Sequence, residues 1–170
     1  MKNINTATKI KIAQRPEQPT LGIRVQAPFR GMFKVVGQVK KELERWLKLR
    51  NVTPTGPFFL RYYIIDMDGE MDVEYGVFGV EGVYGDGRVT PGIIPAGRYA
   101  SLVYTGSGLQ GNRKLIEWAK TNHIPWDRWD DPKGDGFRAR YETFLTDPKI
   151  EPRKTKWEIE VAIKLSDETD

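Results

Sequence analysis

The sequence predicts an α+β fold: a tandem pair of β-α-β-β units related by a pseudo-twofold, with antiparallel sheets and a ligand cleft between the halves. Three observations carry this prediction. Two segments space their apolar residues as amphipathic helices. The segments around them alternate as strands. The second half of the chain then repeats both the order and the residue texture of the first, an internal repeat of long period. At 170 residues the chain has the length of a single domain, 1–170, able to bury a sizeable core.

Residues 1–17 read as an N-terminal tail or edge strand, whose alternating run Lys9-Ile10-Lys11-Ile12 is closed by Arg15-Pro16 and Pro19. The first half occupies about 18–80. Its opening strand is Leu21-Gly22-Ile23-Arg24-Val25. Between Gly31 and Leu49 the residues Met32, Val35/Val36, Val39, Leu43 and Trp46/Leu47 form one stripe, with Lys40, Lys41, Glu44 and Lys48 on the opposite side. Thr53-Pro54-Thr55-Gly56-Pro57 ends that helix. Strands Phe58–Ile65 and Met71–Val80 follow, joined by the turn Asp66-Met67-Asp68-Gly69. Residues 82–97 hold five glycines and two prolines, and without a G-K-[ST] ending they read as a connector, not a phosphate loop.

The second half, about 94–165, repeats the order. Arg98–Thr105 reads as a strand, Gln110–Thr121 as a helix with Leu115, Trp118 and Ala119 inward, and Pro125–Gly136 as a loop. Phe137–Leu145 and Trp157–Leu165 complete the unit as strands. Residues 56–63 resemble 136–142 with one gap, and 72–77 parallel 157–162. One helix cannot cover both faces of a three-stranded sheet, so the halves must pair, leaving a cleft along their seam.

Composition narrows the chemistry. With no cysteine there is no disulfide, thiol nucleophile or thiolate metal site, and a reducing cytoplasm is the expected location. A single histidine, His123, rules out a multi-histidine metal centre, so neither a metal nor any other cofactor is expected. His123 ends the second helix, where it suits the terminal carbonyls. Asp130-Asp131 reads as a solvated turn. No apolar run reaches the roughly 18–20 residues of a spanning helix, so no membrane partner is expected. The net charge of +4 is dispersed and accompanies no RNA-binding or helix-turn-helix signature, so direct DNA binding is not expected.

Several segments resemble one known family. Gly56-Pro57 before an aromatic strand, Asp72-Val73-Glu74-Tyr75-Gly76-Val77, Ile94-Pro95-Ala96-Gly97-Arg98-Tyr99-Ala100 and Tyr104-Thr105-Gly106 belong to the pattern. So do the Trp118 helix and the run from Arg140-Tyr141-Glu142 through Asp147-Pro148 to Ile163-Lys164-Leu165. In this order they are similar to the gyrase-inhibitor-like (GyrI-like) small-molecule-binding domain in its stand-alone form, across roughly residues 18–165. The resemblance implies a pocket between the halves for bulky aromatic or cationic drugs, with a glutamate at its floor. In many members that domain senses effectors for a transcription regulator; here about 17 residues precede it, too few for a helix-turn-helix. Other members are hydrolases of cyclopropane-bearing electrophiles, or bind gyrase. A small-molecule ligand is therefore the expected partner, with gyrase or a regulator as the protein alternative.

Glu142 falls where the family's floor glutamate lies. Strand alternation puts Arg140, Glu142 and Phe144 on one face and Tyr141 on the other. A carboxylate among aromatics is costly unless held by donors; the alternative is a surface acid paired with Arg138 or Arg140. The resemblance also implies pocket aromatics at Trp118 and Trp157. Tyr63, taken as the first-half counterpart of Glu142, Tyr104 and Phe144 complete the expected ligand set. Trp126 and Trp129, in a turn-rich loop, are expected to roof the cleft. Were the protein a hydrolase, Glu142 would activate water and Tyr104 would polarise a carbonyl.

Overall fold

The computed structural model describes residues 9–167, so residues 1–8 of the tail or edge strand expected over 1–17 lie outside the described residues. Its elements run β1 (Ile10–Arg15), β2 (Gln18–Pro28), α1 (Met32–Leu49), β3 (Phe58–Ile65), β4 (Glu70–Phe78), β5 (Val89–Ile94) and β6 (Gly97–Thr105). They continue with α2 (Gly108–Thr121), β7 (Arg128–Asp131), β8 (Gly134–Phe137), β9 (Arg140–Phe144) and β10 (Glu158–Lys164). The two β-α-β-β units are β2-α1-β3-β4 and β6-α2-β9-β10.

The halves share one antiparallel sheet ordered β1-β6-β10-β9-β3-β4-β2-β5. They meet at the middle strands, where Leu60 lies opposite Glu142. The register continues symmetrically outward: Leu60 pairs Tyr75 and Tyr75 pairs Ile23, while Glu142 pairs Val161 and Val161 pairs Leu102. The pseudo-twofold therefore passes between Leu60 and Glu142.

Both helices cover the same sheet face. The stripe of α1 buries Met32, Val36, Val39, Leu43, Trp46 and Leu47 against β2, β3 and β4, as its three-four spacing requires. Its first turn follows Gly31, whose φ of 87° lies in the left-handed region that glycine adopts without penalty. In α2, Ser107 caps the first turn by accepting a hydrogen bond from the Gln110 backbone N–H, Leu115 packs with residues of β6 and β10, and Ala119 is buried. The opposite face carries its own cluster, including Phe59, Phe78, Tyr99 and Tyr141. A ribbon of residues 10–23 against 89–102 links the outer strands of the two halves, and its Ile94 packs into that cluster.

Three local expectations are corrected. The Gly/Pro connector contains strand β5; Pro91 and Gly92 are tolerated because β5 is an edge strand bonded to β2 alone. The loop expected over 125–136 contains most of the β7–β8 hairpin. The continuous strand expected over 137–145 is broken at Arg138-Ala139, so that β8 pairs with Ile64-Ile65 while β9 pairs with Phe59–Arg61.

Gly76 and Gly22 face each other between β4 and β2. A Cβ on Gly76 would stand 2.6 Å from Cζ of the fully buried Phe59 and 3.0 Å from the Leu21 carbonyl oxygen. Neither neighbour has room to retreat. Gly76→Val is therefore expected to lower stability by about 1–3 kcal/mol, the usual cost of overpacking a filled core. Urea denaturation checks this through a lower midpoint at unchanged slope.

Candidate functional site

The central antiparallel pairing brings three strands and one helix to a single carboxylate. On β9 the alternation turns Arg140, Glu142 and Phe144 toward the helices, while Tyr141 packs among the back-face aromatics. Glu142 retains only 8% of its exposure. Its Oε1 accepts a hydrogen bond from the Tyr62 hydroxyl at 2.7 Å. Its Oε2 accepts from the Tyr104 hydroxyl at 2.8 Å and from Asn112 Nδ2 at 2.9 Å. Tyr62 comes from β3, Tyr104 from β6 and Asn112 from the second turn of α2, so both halves hold the one charge. Four lone-pair positions serve a carboxylate, and three are occupied.

Asn112 is the hinge of this network. Its Nδ2 also donates to the Gly108 carbonyl, and its Oδ1 accepts from Arg140 Nη2 at 2.9 Å. Arg140 lies over the Phe137 ring at 4.8 Å, and its Nε is buried without a partner. Burial lowers the Arg140 pKa, against the attraction of Tyr62 and Glu142; a guanidinium nevertheless stays protonated. Burial first, and the neighbouring Glu142 charge second, raise the pKa of both Tyr62 and Tyr104. Both phenols are therefore donors throughout the neutral range.

Above the carboxylate lies a cavity of about 1460 Å³ between α1 and α2. Phe58 stacks on Tyr75 at 5.7 Å, and Tyr75 meets Phe144 at 6.3 Å, forming an aromatic wall along the seam. Trp157 lines the cavity, its ring fixed by a 2.6 Å hydrogen bond from Nε1 to the Glu151 carbonyl. The volume exceeds the roughly 300–1,000 Å³ usual for small-molecule sites, as suits a cleft with a wide mouth.

The structure brings together four of the eight residues expected at the site: Glu142, Tyr104, Phe144 and Trp157 all line the cavity. The other four lie elsewhere. Trp118 turns from the cavity toward the core beneath α2, because the cavity face of that helix is set by Asn112 and Ile116. Trp126 packs into the same core and bridges to Leu165. Trp129 is part of strand β7, with its ring against Gly136 and its Nε1 bonded to Asp131. Neither forms a roof. Tyr63 sits where the β3 register shifts between Tyr62 and Ile64; it lies on the back face between the guanidiniums of Arg24 and Arg61 and donates to Glu74 at 3.1 Å. The counterpart of Glu142 is Leu60, not Tyr63.

Sequence reasoning missed Tyr62, Asn112 and the Phe58–Tyr75 pair. Two signals existed. Tyr62 shares strand parity with Leu60, and Asn112 is a polar residue standing one turn before Leu115 and Ile116 in an otherwise apolar stripe.

Across residues 8–166 the chain matches the GyrI-like small molecule binding domain and belongs to that family. No curated protein sequence matches it. Among solved structures it is similar to the C-terminal domain of EcmrR, with a TM-score of 0.66 at 15% identity, covering 94% of this chain and 98% of that one. It spans 58% of the EcmrR chain in that protein's complex with DNA, with a TM-score of 0.67 at 14% identity and 95% of this chain covered. SAV2435 bound to tetraphenylphosphonium aligns with a TM-score of 0.63 at 10% identity, covering 94% of each chain. A hydrolase from Listeria innocua aligns with a TM-score of 0.59 at 13% identity, covering 93% of this chain and 92% of that one. No described helix is long and apolar enough to cross a membrane.

Removing one donor from a buried carboxylate should cost more than a neutral hydrogen bond. Tyr62→Phe is expected to destabilise the fold by about 1.5–3 kcal/mol. In a double-mutant cycle with Glu142→Gln the combined loss should fall below the sum of the two, because the second change removes the charge that Tyr62 serves. Urea titrations of the four proteins measure the coupling.

Proposed function

We propose that the cavity binds bulky apolar or aromatic molecules, sequestering or sensing drug-like compounds, and that Glu142 receives a cationic or hydrogen-bond-donating group at the floor. The observation that carries this reading is the one open lone pair of Glu142 under the aromatic wall. Folding has already met the carboxylate's desolvation through Tyr62, Tyr104 and Asn112. A ligand donor then gains a preorganised partner, and apolar walls supply the affinity. The tetraphenylphosphonium bound by SAV2435 belongs to the same ligand chemistry. Trp157, Phe144 and Tyr104 are the proposed flanking contacts.

A second reading has one observation in its favour: the similarity to a Listeria innocua hydrolase. Glu142 would accept a proton from water through its open lone pair as the water attacks a strained electrophilic ring. Tyr104 cannot polarise a ligand carbonyl while its proton is committed to Oε2. The geometry thus favours binding over hydrolysis.

Glu142→Gln separates the two. Cationic dyes should lose about 1–3 kcal/mol of affinity, the value of a hydrogen bond to a charged group, and neutral planar dyes much less. Isothermal calorimetry with one dye of each kind measures it. Equal losses, or none, would remove Glu142 from the site. Under the hydrolase reading the same variant retains binding but loses about 10²–10⁴-fold in turnover of an electrophilic ligand, followed by product analysis.

A further inference from the structure

The mouth of the cavity has the opposite sign from its floor. Lys40, Lys48, Arg113, Lys120, Lys149 and Lys154 all line it. None of these six forms an ion pair among the described residues. The acids in the same lining above the floor are Glu44, Glu117 and Asp147, and Asp147 is occupied by the Lys149 backbone N–H. Two of the lysines already sit on aromatic rings at the mouth: Lys154 Nζ is 4.6 Å from the Phe33 centroid, and Lys40 Nζ is 6.0 Å from that of Trp157. These two ring faces at the mouth are thus occupied by the chain's own ammonium groups. At the floor Arg140 stands two residues from Glu142 on the same strand face, so the floor is bipolar. Between these cations the mouth is apolar, with Phe33 64% exposed, Leu109 58% and Leu145 48%.

We infer that the natural occupant is an amphiphile whose anionic group, a carboxylate, phosphate or sulfate, lies at the lysine rim while its apolar body fills the cavity and a donor group meets Glu142. This inference rests on the binding reading of the same cavity. Unpaired ammonium groups on a low-dielectric cleft raise the local concentration of anions and hold them at the entrance. An anion placed there meets cations that no ion pair among the described residues engages. A simple cation must instead pass a rim where six like charges outnumber the three acids before it reaches Glu142. The rim therefore selects for an acidic end group, and the floor for a donor.

The test uses two dyes with the same body: 1-anilinonaphthalene-8-sulfonate and N-phenyl-1-naphthylamine. They share the naphthalene, the phenyl ring and the N–H donor and differ only in the sulfonate. Calorimetric titration of the wild-type protein should show the sulfonate dye bound about five- to tenfold more tightly at about 20 mM NaCl. The ratio should shrink toward one at about 500 mM, where the screening length drops from about 20 Å to about 4 Å. In the doubly substituted Lys40→Gln, Lys154→Gln protein the ratio should fall several-fold at low salt. Saturable one-to-one binding of both dyes with equal affinity would overturn the inference and leave the pocket reading standing. Absence of saturable binding by either dye would end the pocket reading and the inference with it. Co-sedimentation with phosphatidylglycerol vesicles, lost in the lysine variant but undisturbed by excess dye, would assign the rim to a membrane surface and overturn the inference.

Discussion

One buried negative charge organises this molecule. Glu142 lies on the central strand pair, where an uncompensated carboxylate would cost several kcal/mol. The fold meets that cost with two phenols and one amide drawn from β3, β6 and α2. Each donor fixes a relation between elements that packing alone would leave looser. Tyr62 ties the first half to the second across the seam. Tyr104 ties the outer strand β6 to the middle strand β9 on the helix-covered face, and Asn112 anchors α2 over both. Losing the charge would release constraints in both halves at once.

The pseudo-twofold explains how a symmetric scaffold makes an asymmetric site. Equivalent positions on the two middle strands carry Phe58, Leu60 and Tyr62 in one half and Arg140, Glu142 and Phe144 in the other. The first half supplies an apolar and aromatic floor; the second supplies the charge pair. Likewise Tyr75 on β4 corresponds to Val161 on β10, so the aromatic wall rises on one side only. The cleft is open where the two helices, each confined to its own half-sheet, fail to meet above the seam. Its floor is rigid sheet and its rim is exposed helix and loop, so the chemistry of recognition divides by depth: hydrogen bonding below, charge and apolar contact above.

The back of the sheet is equally consequential for the site. Gly76 leaves room for Phe59, which packs with Phe78 and Tyr141, and Arg61 reaches the Ile93 and Arg138 carbonyls. The ribbon of β1-β2 against β5-β6 links the outer strands from this side. The middle strands are thereby packed from the back under the cavity, and the distance between Tyr62 and Glu142 does not depend on the ligand to set it.

Residue pattern alone determined the two helices, the core strands and their repeat, because periodicities of 3.6 and 2 are local properties that burial enforces along each segment. It also placed Glu142 with Arg140 and Phe144 on one strand face, since alternation needs no knowledge of partners. Trp118 and Tyr63 show where local pattern stopped. Which side of α2 overlooks the cleft depends on how that helix rotates onto β6, and which residue of β3 stands opposite Glu142 depends on the pairing register: it is Leu60, whose parity Tyr62 shares and Tyr63 does not. Trp126 was drawn into the core by its bridge to Leu165, which is distant in sequence, and Trp129 into the β7–β8 hairpin, where its ring covers Gly136. The glutamate was legible because its strand is; its donors, Tyr62 eighty residues away and Asn112 on another element, were chosen by the tertiary structure, which alone decides which side chains lie within hydrogen-bonding reach of a buried charge.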